Sequence, residues 1–132
     1  MTIESKAAGA RRYLLGLQAR METAKSEAGL VNKLAAPGYF ISLTRRMHRI
    51  DDALRALDRQ ANPVGTVELL VESIEDNVTL AEQDCERRGR YAEDAGDAYK
   101  ALVQLVGEDA VTERARRAYA SFVPQEEVAS QG

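Results

Sequence analysis

The sequence predicts an all-α chain, an up-down helical bundle of four main helices with a short fifth helix at the C-terminal end. Three observations predict it. The three prolines, Pro37, Pro63 and Pro124, lie far apart, and a proline inside a helix loses a hydrogen bond and clashes with the preceding turn. The segments between them are rich in alanine, leucine, arginine and glutamate, which lose little side-chain entropy on entering a helix. No stretch alternates apolar and polar residues with the β-branched and aromatic content of a strand.

The first segment carries the most regular pattern. Ile3, Ala7, Ala10, Leu14, Leu17, Met21, Ala24 and Ala28 recur in steps of 4 and 3, a heptad seam that continues weakly through Val31 and Ala35. Gly9, Gly16 and Gly29 lie off the seam, and each lowers helix propensity by about 1 kcal/mol relative to alanine. Packing must therefore hold this helix. The seam fits either the core of a bundle or a coiled-coil contact with a second chain, which makes Leu14, Leu17 and Met21 candidate partner-binding residues.

Pro37-Gly38 is expected to turn the chain into a second helix from about Tyr39 to Gln60. Leu43, Met47, Ile50, Leu54, Leu57 and Ala61 share one side of it, and Arg45, His48, Arg49, Asp52, Arg55 and Arg59 the other. Asn62-Pro63-Val64-Gly65 reads as a loop, with Thr66 the expected N-cap of the third helix. That helix presents Val67, Leu70, Val71, Ile74, Val78, Ala81 and Cys85 to a core, so the thiol is expected to be a small buried hydrophobe. Arg87-Arg88-Gly89-Arg90 follows, with a break expected at the glycine. A fourth helix, about Tyr91 to Val106, buries Tyr91, Ala95, Ala98, Leu102, Leu105 and Val106. Asp109 can cap the fifth helix, whose seam is Val111, Ala115, Ala118 and Phe122. A single domain over residues 1–124 is expected, with a polar tail from 125 to 132 that is mobile unless a partner holds it.

The 132 residues are 45% hydrophobic and 30% charged with a net charge of −3, which fits one domain and excludes separate cofactor and substrate lobes. One cysteine cannot form an internal disulfide, no apolar run approaches ~18 residues, and the N-terminal text lacks the order of a signal peptide. A reducing, cytoplasmic location and no membrane association are the expectations.

The single histidine narrows the chemistry. His48 alone supplies neither a di-iron Glu-x-x-His pair nor a zinc site, and it falls on the polar arc of its helix. Phosphate-cradling loops and the nucleophile-elbow pattern are absent from the text. One constellation remains. Glu72-Ser73-Ile74-Glu75 and Asp94-Ala95-Gly96-Asp97 each place two carboxylates one turn apart, and antiparallel packing could join them around Mg²⁺. This spacing resembles the all-α NTP pyrophosphohydrolases of the MazG type, whose signature is E-x-x-E, a gap, then E-x-x-D. The resemblance spans about 26 residues and implies Mg-dependent release of pyrophosphate, with Glu72, Glu75, Asp94 and Asp97 as metal ligands. Asp94 stands where that family has glutamate, one methylene shorter. Read without the resemblance, the four acids are solvated helix faces, with no catalytic residue and no cofactor.

Charge is sorted by element. Arginine outnumbers lysine 14 to 4, and residues 66–86 hold seven acids and no base. The arginine stripe of the second helix, Arg45, Arg49, Arg55 and Arg59 with Arg46 nearby, can pair with the acidic third helix or dock a charged protein subunit. It can also track a nucleic-acid backbone. Against the last stand the pI of about 5.3, the interleaved Asp51, Asp52 and Asp58, and the lack of accompanying aromatics. The sequence thus predicts first a non-catalytic subunit acting through self-association, as a homo-oligomer, or through docking to a protein partner in a larger assembly. Second comes a subunit meeting nucleic acid within a complex, and third the pyrophosphohydrolase.

Overall fold

The computed structural model describes residues 3–35, 37–58 and 63–122, with side chains described for 6–27, 38–58 and 65–122. Among these residues lie five α-helices and no strand: α1 (Ile3–Ala35), α2 (Pro37–Asp58), α3 (Pro63–Gln83), α4 (Arg88–Val106) and α5 (Glu113–Ala120). Short 3₁₀ turns at Cys85–Arg87 and Glu108–Ala110 precede α4 and α5. No described helix is long and apolar enough to cross a membrane.

The fold is a helical bundle. α1 packs on α2 and α4, α3 packs on α2 and α4, and α5 lies across α3 and α4. Among the described residues the backbones of the diagonal pairs, α1 with α3 and α2 with α4, do not approach closely. Contacts fix the directions. Arg11 pairs with Asp58, Gln18 with Asp51, and the Lys25 ammonium lies over the Phe40 ring, so α1 and α2 run oppositely. Arg20 meets Asp94 and Asp97 while Lys100 lies over Tyr13, so α1 and α4 do too.

The heptad seam of α1 forms part of the core of the single chain. Ala10, Leu14 and Leu17 are fully buried and Met21 is 1% exposed. Partner contact through Leu14, Leu17 and Met21 is therefore corrected: α2 and α4 cover them. α1 runs without a break through Gly29 to Ala35. The small side chains let neighbours come close, and at Gly9 an added Cβ would run into the Gln104 amide.

Several boundaries differ from expectation for local reasons. Pro37 and Pro63 open α2 and α3 from inside the first turn, where a proline's missing N–H is not needed. Thr66 is thus not a cap but lies in the first turn of α3, fully buried. Gly89 falls within the first turn of α4 and does not break it. Thr112, not Asp109, caps α5, its Oγ1 accepting from the Ala115 N–H at 3.3 Å. Gly107 ends α4 at φ 85°, a backbone region that favours glycine. Arg59, Ala61 and the expected tail from 125 to 132 lie outside the described residues.

Candidate functional site

The most unusual chemistry in the core is a polar layer. Arg46 of α2 (5% exposed), Asn77 of α3 (0%) and Asp94 of α4 (8%) are buried together. Arg46 Nη1 donates to Asp94 Oδ2 at 3.1 Å and more weakly to Asn77 Oδ1 at 3.4 Å. The same guanidinium lies 5.1 Å from the centre of the Tyr91 ring. Its Nε has no hydrogen-bond partner among the described residues. Only a long side chain can make these contacts, because α2 and α4 are diagonal neighbours.

The layer extends to both sides. Arg20 of α1 donates to Asp94 Oδ1 at 3.0 Å and pairs with Asp97 at 2.5 Å. Two guanidiniums thus bracket Asp94. Burial nevertheless pushes the Asp94 carboxyl up from its ordinary value, against the pull of Arg20 and Arg46. On the other side, Tyr91 Oη donates to Asp84 Oδ2 at 3.0 Å, and Arg87 donates to the same oxygen at 2.8 Å while stacking 4.2 Å from the Tyr39 ring centre. Burial, then the Asp84 hydrogen bond, push the Tyr91 hydroxyl up to about 12. Burial alone would raise Asp84, but its bonds from Arg87 and Tyr91 outweigh that and hold it low. Above the layer a cavity of about 340 Å³ opens between α1, α2 and α4, walled by Met21, Ala24, Tyr39, Leu43 and Tyr91 with Arg90 at its rim.

The four carboxylates with metal-ligand spacing do not converge. Glu72 faces Arg49 at 3.8 Å, and Glu75 is gripped by Arg114 of α5 at 2.5 and 2.8 Å. Asp94 and Asp97 turn to α1 and Arg20. Each acid ties its own helix to another: Glu72 to α2, Glu75 to α5, and Asp94 and Asp97 to α1. Among the described residues no three His, Cys, Asp or Glu side chains are grouped as a metal ion needs. Arg114 also reaches Glu68 at 2.9 Å, clamping α5 to α3. The Arg114 grip outweighs the upward push of burial and holds Glu75 below the usual carboxylate range.

The arginine stripe is engaged only in part. Arg46 points into the core, and Arg49 pairs with Asp76 and Glu72, joining α2 to the acidic α3. Arg45 and Arg55 are exposed and make no ion pair with a described residue, and His48 is exposed on the same face as expected. Cys85 is exposed rather than buried. α3 stops at Gln83, and the 3₁₀ turn rotates position 85 off the apolar stripe.

The polar layer was not anticipated, although its signal is in the sequence. Leu43-Arg46-Ile50-Ala53, Leu70-Ile74-Asn77-Ala81 and Tyr91-Asp94-Ala98-Ala101 each follow helical core spacing with one polar member. Comparison of the chain with protein-family models, with curated proteins and with solved structures gives no match.

Proposed function

We propose that the chain is a non-catalytic helical-bundle subunit, working in a reducing, cytoplasm-like compartment through association with its own copies or with other protein chains. One observation carries the reading. The large apolar side chains left exposed among the described residues, Leu15 (45%) and Ile41 (57%), lie on the outer faces of α1 and α2. The charged groups that could have served chemistry are engaged instead in tying helix to helix. With those charges occupied within the bundle, its outer helix faces are the surfaces it offers to partners.

Size-exclusion chromatography with light scattering, reading absorbance at 260 and 280 nm together, tests the reading. A clean multiple of 14.5 kDa with a protein-like ratio supports self-association. A wild-type monomer at high concentration removes it, and excess absorbance at 260 nm would replace it with nucleic-acid binding. Of the arginine stripe, Arg45 and Arg55 stay exposed for that alternative, while Arg49 is held by α3.

A further inference from the structure

We propose that a second copy of this chain docks against the outer face of α1, antiparallel and with its two-fold axis at the level of Leu17. The inference rests on the self-association reading and names its surface. The inner seam of α1 is buried, its flanks meet α2 through Arg11, Gln18 and Lys25, and meet α4 through Tyr13 and Arg20. The remaining stripe, Ala8, Arg12, Leu15, Ala19, Glu22 and Ser26, is exposed throughout and advances in steps of 4 and 3. That is heptad spacing on a face that no described residue covers.

The stripe is self-complementary when two copies run in opposite directions. Arg12 and Glu22 lie five residues to either side of Leu17, Leu15 and Ala19 two, and Ala8 and Ser26 nine. A two-fold axis there sets Arg12 across from Glu22 of the other copy, twice. It also lays each Leu15 beside the partner copy's Ala19, where the small side chain leaves room for it. Neither Arg12 nor Glu22 makes an ion pair with a described residue of its own chain, and both are exposed. A parallel arrangement would oppose Arg12 to Arg12 and Glu22 to Glu22. Isologous two-fold contacts of this kind are the commonest way identical chains associate.

The contact is one helix face about 28 Å long, so the dimer forms and dissociates with concentration and weakens with salt. Sedimentation equilibrium over a wide concentration range tests it. Wild-type mass should rise from 14.5 kDa to twice that value. Arg12→Glu and Glu22→Arg, each alone, should stay monomeric, because like charges then face each other across both symmetric positions. An equimolar mixture of the two variants should dimerise again, since both crossings then pair opposite charges. Both substitutions are at exposed positions, and an unchanged circular dichroism spectrum checks folding. Single variants that dimerise like wild type would overturn this surface while leaving self-association standing. A wild-type chain that never exceeds 14.5 kDa would overturn both.

Discussion

Arg46 and Asp94 meet at 3.1 Å across the diagonal of the bundle, joining two helices whose backbones do not approach each other. A buried ion pair is not in itself a source of stability, because taking both charges out of water offsets their attraction. Its effect is selective. With Asn77 and Arg20 it allows one vertical alignment of α1, α2, α3 and α4, and any slip by a helical turn would strand a charge among alanines and leucines.

This pair should be strongly non-additive. Asp94→Ala should cost about 3–5 kcal/mol, because it strands the Arg46 guanidinium. Arg46→Leu should cost less, because Arg20 still pairs with Asp94. The double variant Arg46→Leu/Asp94→Ala should lose less than the sum of the two single losses, by a coupling energy of roughly 2 kcal/mol in urea denaturation. Additive losses would show that the pair does not act as a unit.

The clamp between α3 and α5 should be sensitive to acid. Arg114 holds Glu75 below its ordinary value, so the clamp contributes fully above the pKa of the unfolded chain and is lost as pH falls through the folded one. Glu75→Ala should therefore destabilise the protein at pH 7 by at most about 1 kcal/mol, as a largely exposed pair does. The difference from wild type should shrink below the usual carboxylate range. Thermal unfolding at pH 7 and pH 3 checks both the sign and the window.

Thr66 offers a stabilising substitution. Its Oγ1 is buried and has no hydrogen-bond partner among the described residues, and leaving such a group unsatisfied costs about 1–3 kcal/mol. Thr66→Val keeps the shape and removes the hydroxyl. A rise in unfolding free energy of about 1 kcal/mol is expected; a fall would mean that the hydroxyl is hydrogen-bonded in solution.

The Cys85 thiol is exposed. One equivalent of an aromatic disulfide reagent should therefore react with the folded protein at a rate close to that in denaturant. Protection of the thiol by many-fold would instead return Cys85 to the apolar stripe of α3.

Helix content and the bundle were legible because apolar spacing, proline placement and propensity agree in every segment. The fate of the α1 seam was open: the same steps of 4 and 3 describe a core helix and a coiled coil, and only the neighbours of Leu14, Leu17 and Met21 decide between them. Cys85 was misplaced because a stripe extrapolates smoothly through a helix end that it cannot register. The polar layer was missed for a different reason. Charge places Arg46 with the other arginines of α2, whereas its spacing from Leu43 and Ile50 marks a core position. Metal-ligand spacing pairs Asp94 with Asp97, whereas its burial requires a cation, which Arg46 supplies from across the bundle.

The most direct test of the account is the light-scattering mass of Leu15→Glu set beside that of wild type at the same high concentration. Leu15 is exposed in the single chain, so the substitution should leave the fold and its unfolding transition unchanged. The account predicts wild type at twice 14.5 kDa and the variant at a single chain mass. Equal masses, whether both dimeric or both monomeric, would contradict association through the outer face of α1.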